Sequence, residues 1–181
     1  MRAHRLLVTG ASGTGTTTLA RALASLWAVP HADVDDYLWQ PTSPPYTHKR
    51  PKEERVALMH ELFVPRDAWV LSGSLRGWGD SVVERLEGVV FLSLTPEVRM
   101  GRLMSREVLR YGDTIEKGGR NEAAHLDFLD WARGYDDTHQ GRRRLADERW
   151  LAELLCPVLR LDSARPVAEL VDTVTEWLDE V

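Results

Sequence analysis

Short apolar runs alternate along the chain with longer segments in which apolar residues recur at helical spacing. The apolar runs cover 5–9, 29–34, 69–72, 89–94 and 158–161. Runs of this length without internal alternation are typical of β-strands that are buried on both faces. The helical spacing covers 17–27, 52–63, 97–110, 122–135, 142–155 and 166–178. This order of elements predicts an α/β fold, with about five parallel strands and helices on both faces of the sheet.

Three segments between these elements are predicted to lack regular structure. The segment 40–46 is rich in proline, 73–79 carries several glycines, and 112–119 is a glycine-rich break with arginines on both sides. Ligands of open α/β sheets bind beyond the carboxyl ends of the strands. The segments that follow strands are therefore the candidates for a binding site.

Composition narrows the class of protein. The chain has 181 residues, which suits a single domain, and its 43% hydrophobic and 28% charged residues are ordinary for a soluble globular protein. A net charge of −5 and a pI near 5.7 argue against nucleic-acid binding. We recognise no signal peptide and no apolar run of membrane-spanning length, so we expect a cytoplasmic protein without a membrane partner.

Cysteine and histidine are not expected to carry chemistry. Cys156 is the single cysteine, which excludes an intrachain disulfide and a thiolate metal cluster. It lies in an apolar run, where a small buried hydrophobic residue is the favoured interpretation. No metal-ligand spacing is found for His31, His48, His60, His125 and His139.

The segment from Gly10 to Thr17 lies between the first predicted strand and the first predicted helix. Its sequence, GASGTGTT, has the glycines and the final hydroxyl residue of the phosphate-binding pattern GxxxxGK[ST]. Thr16 stands at the position of the lysine, which in that pattern contacts the β- and γ-phosphates. The chain has few lysines to replace it, at Lys49, Lys52 and Lys117. The loop therefore predicts nucleotide binding and leaves the source of the cation open.

Together with three later motifs, this loop resembles the P-loop small-molecule kinases, which include adenylate kinase, shikimate kinase and gluconate kinase. Asp33-Val34-Asp35 is similar to the D-x-D after the second strand of shikimate kinase. Gly73-Ser74-Leu75-Arg76 is spaced like the G-F-P-R turn of adenylate kinase, and the arginine-bearing stretch 96–106 looks like the entrance to a lid. The resemblance implies the three-layer P-loop NTP hydrolase fold with a small lid.

The same resemblance implies the organisation of the chain and its ligands. It implies one domain over 1–181, with an acceptor-binding segment at about 36–65 and a lid at about 106–121. ATP would be the phosphate donor, and Mg²⁺ would be held by Thr17 and Asp33. The residues that would bind the nucleotide are Gly10, Ser12, Gly13, Thr14, Gly15, Thr16, Thr17 and Thr18.

Four residues make up the implied catalytic set: Asp33, Asp35, Arg102 and Arg106. Asp35 would face the acceptor as general base or as an orienting hydrogen-bond partner. The arginines would stack on the base or reach the transferring phosphate as the lid closes.

The acceptor is expected to be a small molecule that contacts Asp35, Arg76 and Trp39. A guanidinium grips phosphate through two hydrogen bonds, so Arg76 suits an anionic group. Gly73-x-x-Arg76 and the aromatic residues Tyr37, Trp39, Tyr46 and Trp78 favour a nucleoside monophosphate. The D-x-D favours a hydroxylated metabolite. Both classes stay open, as does the oligomeric state.

Three interpretations of the lysine-free loop compete. In the first, which the D-x-D, Arg76 and the arginine-lined lid favour, the protein is a kinase whose charge comes from Arg102, Arg106 or the cluster Arg142, Arg143 and Arg144. In the second it binds nucleotide without turnover, as a sensor or regulatory partner. In the third the loop binds another phosphorylated ligand.

Each motif also has a purely structural interpretation. Asp33 and Asp35 could cap a turn, and Arg76 could be solvated or ion-paired at the surface. The aromatic residues could pack in the core or the lid.

Overall fold

The computed structural model describes residues 2–43, 45–136 and 143–180, which fall into two compact units. The sheet unit consists of Met1–Gly10, Gly15–Leu92 and Leu154–Val181, and the helical unit of Ala11–Thr14 and Ser93–Glu153. The predictions of one domain, of an acceptor-binding segment and of a lid stay predictions.

A five-stranded parallel sheet with helices on both sides forms the framework. Its strands are β1 (Arg5–Gly10), β2 (His31–Asp33), β3 (Trp69–Ser72), β4 (Gly88–Ser93) and β5 (Val158–Asp162), in the order β2-β3-β1-β4-β5. The helices of the sheet unit are α1 (Thr16–Trp27), α2 (Val34–Leu38), α3 (Lys52–Leu62), α4 (Asp80–Val83) and α8 (Val167–Glu180). The predicted fold class is confirmed.

Strand register brings together the carboxyl ends of the three strands that matter for the site. Ser72 of β3 is the register partner of Val8 in β1 and of Asp33 in β2. The phosphate loop, Gly10–Thr17, begins where β1 ends. Because all these strands are parallel, their last residues and the segments that follow lie at one edge of the sheet.

The core of the sheet unit explains why the strands read as unbroken apolar runs. Leu6 and Val8 of β1 are fully buried and cluster with Leu19 and Leu23 of α1 and with residues of α8. In β3, Trp69 is also fully buried and packs edge to face on Phe63, with 5.1 Å between the ring centroids. Strands covered on both sides cannot alternate polar and apolar residues.

The helical unit has its own small core. Its elements are α5 (Pro96–Tyr111), a short 3₁₀ helix (Gly112–Ile115), α6 (Glu122–Arg133) and α7 (Arg143–Ala152). Leu103 of α5 packs with Leu129 and Ala132 of α6, and the half-buried Met100 and Phe128 cover them. Pro96 starts α5, where a proline needs no intrahelical donor.

Two short helices were not predicted, and one strand is shorter than its prediction. The apolar run 29–34 contains β2 only over His31–Asp33, because the Asp33 side chain accepts the Asp35 N–H and starts α2. The four-residue α4 lies within a stretch too short to show a helical period. Cys156 is half-buried rather than fully buried, and burial raises the pKa of its thiol.

Candidate functional site

The phosphate loop depends on glycines with positive φ. Gly13 and Gly15 have φ values of 91° and 93°, a region in which residues with a side chain are strained. At Gly13 a Cβ atom would lie 2.9 Å from the Arg99 carbonyl oxygen and 2.9 Å from Leu103 Cγ. Gly13 is therefore required both by its backbone conformation and by the approach of α5.

Backbone donors at the start of α1 suit an anion. The N-cap residue of this helix is Gly15, so no side chain at that position bonds to the N–H groups of the first turn. The first N–H groups of a helix lack intrahelical partners and lie at the positive end of its dipole. Those of Thr16, Thr17 and Thr18 are in this position, with Thr18 exposed and the other two half-buried. The loop thus fits a phosphate group by its backbone, and Thr16 adds a hydroxyl where the pattern has a lysine.

Within the loop, Thr14 has a structural role. Its N–H and its Oγ1 both donate to the carbonyl oxygen of Ala11, at 3.1 and 2.8 Å, and it is almost fully buried. The Thr14 side chain thus closes the turn, and its predicted part in nucleotide binding stays a prediction.

The Asp33 carboxylate accepts three hydrogen bonds in the sheet unit. Thr17 Oγ1 and Ser72 Oγ each donate to Oδ2 at 3.0 Å, and the Asp35 N–H donates to Oδ1 at 3.1 Å. The structure thus joins the last residue of the phosphate loop to the first carboxylate of the D-x-D. Asp33 is also the N-cap of α2, so the capping interpretation and the proximity to the loop are both correct descriptions of it.

His31 extends this group of side chains. Its Nε2 lies 3.0 Å from Ser72 Oγ. Burial lowers the pKa of His31, against the opposing effect of Asp33, and the positive charge of Arg21 acts in the same direction as burial. At the adjoining Asp36, burial and the negative charge of Asp33 raise the pKa.

The pair Thr17 and Asp33 has the chemistry of a magnesium site. A threonine hydroxyl and a carboxylate are hard oxygen ligands, and Mg²⁺ usually keeps several waters and takes the rest of its ligands from phosphates. Among the described residues no group of three or more His, Cys, Asp or Glu side chains could hold a metal ion. Two oxygen donors of this kind fit an ion that takes its other ligands from water and phosphate.

Arg99 of α5 holds the part of the phosphate loop that belongs to the helical unit. Its side chain is only 1% exposed. One terminal nitrogen donates to the Ser12 carbonyl oxygen at 3.1 Å. The other donates to the Ala132 carbonyl oxygen at 2.9 Å and forms an ion pair with Asp136 at 3.0 Å. Arg99 therefore fixes the loop backbone, and its charge is already paired.

The predicted lid arginines lie on the exposed side of α5. Arg102 and Arg106 are both exposed. Arg106 lies 3.9 Å from the Glu107 carboxylate, with its guanidinium carbon 5.6 Å from the Phe128 ring. Nothing in these contacts tests a catalytic role, which stays a prediction.

The second arginine cluster begins outside the described residues, at Arg142. Arg143 donates to the Trp131 carbonyl oxygen and stacks on the Trp131 ring at 4.3 Å. Arg144 lies 3.7 Å from Asp136 and is mostly exposed. Arg143 is thus engaged in packing, whereas Arg144 keeps its side chain largely in solvent.

The predicted acceptor residues are distributed over several elements of the sheet unit. Asp35 and Arg76 are exposed. Trp39 is half-buried, with Tyr46 edge to face at 6.1 Å and Lys49 over its ring at 5.3 Å. Tyr37 is buried against Phe63, which agrees with the packing interpretation for that residue.

A buried arginine on α3 was missed by the sequence analysis. Arg55 is 8% exposed, its Nε donates to the Arg50 carbonyl oxygen at 2.6 Å, and its guanidinium carbon lies 5.3 Å from the Trp78 ring. No carboxylate pairs with it in the part of the chain that the structure describes. Lys52, one turn earlier, donates to the Gly77 carbonyl oxygen at 2.9 Å.

Two more site residues had weak signals in the sequence. His31 precedes Asp33 by two positions, which on a strand directs both side chains to the same face. Ser72 is a polar residue at the end of an apolar strand. The contacts of Ser72 with Asp33 and with His31 depend on which strands are neighbours.

Comparisons with solved structures agree with the fold. A sugar kinase from Janibacter sp. HTCC2649 superposes over 98% of this chain and 95% of its own, with a TM-score of 0.55 and 20% identity. The superposition with a gluconokinase from Sinorhizobium meliloti 1021 covers 99% of this chain and 94% of the gluconokinase, with a TM-score of 0.55 and 18% identity. The superposition with a shikimate kinase from Bacteroides thetaiotaomicron covers 97% of this chain and 98% of the shikimate kinase, with a TM-score of 0.55 and 20% identity. The chain therefore has the fold of the P-loop small-molecule kinases.

Sequence comparison identifies the family. The uncharacterized protein YqaC of Bacillus subtilis (strain 168) is 38% identical over 172 residues, which cover 94% of this chain and 95% of YqaC. The chain belongs to the same family as YqaC. No protein-family model matches the sequence. Within the described residues, none of the helices combines the length and the apolar character that crossing a membrane requires.

Proposed function

We propose that this protein is an ATP-dependent phosphotransferase that acts on a small molecule. The hydrogen bond from Thr17 to Asp33 is the observation that carries the proposal, because it joins the phosphate loop to the D-x-D motif. Both motifs serve phosphoryl transfer, in which catalysis consists mainly of positioning and charge stabilisation. The fold of the solved sugar, gluconate and shikimate kinases supports the same activity.

Each residue of the phosphate loop then has a stated task. The N–H groups at the start of α1 bind phosphate oxygens, and the glycines keep side chains out of the way. Thr17 would hold Mg²⁺ through its oxygen, since its proton is already donated to Asp33. When bound, ATP supplies the phosphoryl group and Mg²⁺ neutralises phosphate charge.

Asp35 is the proposed general base or orienting group for the acceptor. Its backbone N–H donates to Asp33, so the first carboxylate of the D-x-D caps α2 and fixes the backbone of the second within the first turn of that helix. The Asp35 side chain itself is exposed. A carboxylate in that position can accept a proton or a hydrogen bond from an acceptor hydroxyl.

The acceptor is proposed to carry an anionic group. Arg55 is 8% exposed, and its described partners, a carbonyl oxygen and an indole ring, carry no negative charge. An anionic group held by Arg55 and Arg76 would supply the missing countercharge. This is compatible with a nucleoside monophosphate and with an acidic hydroxylated metabolite.

The cation that replaces the lysine is proposed to come from the exposed arginines. Loss of one positioned donor costs roughly 2–4 kcal/mol of transition-state stabilisation, or about 10²–10³ in rate, by analogy with an oxyanion donor. Arg99 is a poor candidate, because Asp136 already pairs with its buried guanidinium. Arg102, Arg106 and Arg144 remain, together with Arg142, which lies outside the described residues.

A second candidate function is nucleotide binding without turnover, as a sensor or regulatory partner. The pairing of Arg99 with Asp136 favours it, because the arginine that touches the loop does not bring a net charge to it. The two candidates share the same nucleotide site and differ in whether phosphate is transferred.

The experiment that separates them measures ATP consumption with a panel of nucleoside monophosphates and small acidic alcohols, alongside calorimetric ATP and GTP binding. Transfer to one acceptor supports the kinase, and binding without turnover on every acceptor supports the second candidate. Asp33→Asn should weaken Mg²⁺-dependent binding, whereas Asp172→Asn, on α8, is the control. Absence of both ATP and GTP binding contradicts both candidates.

A further inference from the structure

No step described above uses His31 and Ser72, although Ser72 bonds to Asp33 of the proposed magnesium site and His31 bonds to Ser72. Ser72 is fully buried at the end of β3, and His31 is half-buried two residues before Asp33 on β2. The three side chains form a chain of hydrogen bonds, each 3.0 Å long, from His31 Nε2 to Ser72 Oγ to Asp33 Oδ2. The end of this chain is Thr17, which donates to the same Oδ2 atom.

The direction of these bonds follows from the number of protons available. An ionised carboxylate only accepts hydrogen bonds, so the bond between Ser72 and Asp33 uses the single hydroxyl proton of Ser72. Towards His31, Ser72 can then only accept. The Nε2 atom of His31 must therefore carry a proton, since a neutral imidazole has one donor nitrogen and one acceptor nitrogen.

We propose that His31 is a positioning residue of the nucleotide site, which in its Nε2–H tautomer turns the Ser72 hydroxyl towards Asp33 and thereby orients the carboxylate that Thr17 shares. This inference rests on the proposed function for the identity of the ligand, Mg²⁺ with a nucleoside triphosphate. The arrangement of His31, Ser72 and Asp33 itself does not depend on it.

Loss of the His31 donor leaves the buried Ser72 oxygen without its second partner. The bond from Ser72 to Asp33 then loses the strengthening that a chain of hydrogen bonds provides, and one of two hydroxyl donors on Oδ2 is less well fixed. Partners one step removed from a metal ligand typically change metal affinity by about 10–100-fold when removed. The consequence should appear in the Mg²⁺ dependence of nucleotide binding rather than in binding without the ion.

The same unit contains a matched control. His60 Nε2 also lies 3.0 Å from a serine hydroxyl, that of Ser81. In the described part of the chain, Ser81 makes no hydrogen bond to a carboxylate, so its hydroxyl proton is not committed. The His60 pair therefore has the same geometry without the constraint on the tautomer.

Two measurements test the proposal. Long-range ¹H–¹⁵N correlation spectra of the ligand-free protein at about pH 8, above the ordinary histidine range, should show His31 in the Nε2–H tautomer. Ser72→Ala should remove that single preference, and His60 should show no such dependence on Ser72. An Nδ1–H tautomer, or a mixture of tautomers at His31 in the unaltered protein, overturns the proposal whatever the function is.

Calorimetry of ATP binding with and without Mg²⁺ is the second measurement. In His31→Leu we expect the Mg²⁺ enhancement of affinity to fall by about tenfold or more, and in His31→Gln, which keeps a donor nitrogen, to stay within about threefold. His60→Leu should leave it unchanged. An unchanged enhancement in His31→Leu overturns the proposal. No binding by the unaltered protein overturns the proposed function instead, and the tautomer result then decides the inference.

Discussion

Arg99 donates a hydrogen bond of 3.1 Å to the carbonyl oxygen of Ser12, so a buried side chain of α5 holds the backbone of the phosphate loop. The same guanidinium binds the Ala132 carbonyl oxygen and pairs with Asp136. In a loop without a lysine, this contact supplies an anchor for the backbone and no net charge. Arg99 therefore anchors the loop backbone, and the positive charge that a lysine would supply has to come from another residue.

Arg99→Met should destabilise the protein by about 3 kcal/mol, because it removes the buried guanidinium that binds the Ser12 and Ala132 carbonyl oxygens and leaves Asp136 with Arg144 alone. Chemical denaturation followed by circular dichroism measures this loss. Arg133→Met is the control, since Arg133 pairs with Asp130 in solvent and should change stability by at most about 1 kcal/mol. Equal effects of the two substitutions would contradict the anchoring role.

Gly13→Ala should destabilise the protein more than Gly118→Ala, which has the strain of a positive φ without a close contact at the added Cβ. Alanine at positive φ costs about 1–2 kcal/mol, and at Gly13 its Cβ would also meet the Arg99 backbone at 2.9 Å. Gly118→Ala is the control, because φ there is 82° and no atom lies within 4 Å of the added Cβ. Thermal unfolding of both variants measures the difference. If Gly118→Ala is as harmful as Gly13→Ala, the close approach of α5 is not what requires glycine.

In Glu87→Gln, the free energy of unfolding should decrease less as the pH is lowered than it does in the unaltered protein. Burial opposes the ionisation of Glu87, but the hydrogen bond from the Arg5 N–H and the charges of Arg5 and Arg2 outweigh it, so its pKa is lowered. A lowered pKa stabilises the fold above the ordinary glutamate range near 4.5, and this stabilisation is lost as the pH falls through the folded-state value.

The Glu87 effect is best measured as the difference in unfolding free energy between unaltered protein and variant, from pH 7 down to 3. We expect a difference of up to about 1 kcal/mol at pH 7, since solvent screens the pairs, and a decrease towards zero at low pH. Glu61→Gln, on the exposed side of α3, should give no such slope. A difference that grows as the pH falls would contradict the assignment.

If the protein is a kinase, Thr16→Lys tests whether another residue supplies the positive charge of the missing lysine. A sharp rise in turnover, of the order of 10²–10³, would mean that the native loop lacks a charge that nothing replaces. No change or a decrease would mean that another arginine already occupies the site of that charge. Steady-state kinetics with the acceptor found in the panel measures this. Thr18→Lys, one position beyond the hydroxyl residue and exposed, is the control.

The framework of the protein could be predicted from local pattern. Buried parallel strands have apolar runs, and those at β1, β3, β4 and β5 were found within one residue of their predicted bounds. The short α2 and α4 were not predicted, because a helix of four or five residues shows no period.

The sequence by itself determined the parallel sheet, the position of the phosphate loop and the absence of its lysine, since each of these depends on residues that are neighbours in the chain. Only the tertiary structure decided that Ser72 contacts both Asp33 and His31 and that Arg99 holds Ser12. These pairs are 39 to 87 residues apart in the chain. Their contacts depend on strand order and on the packing of α5, because β3 lies between β1 and β2 and brings Ser72 into register with Asp33. A local pattern does not specify which strands become neighbours.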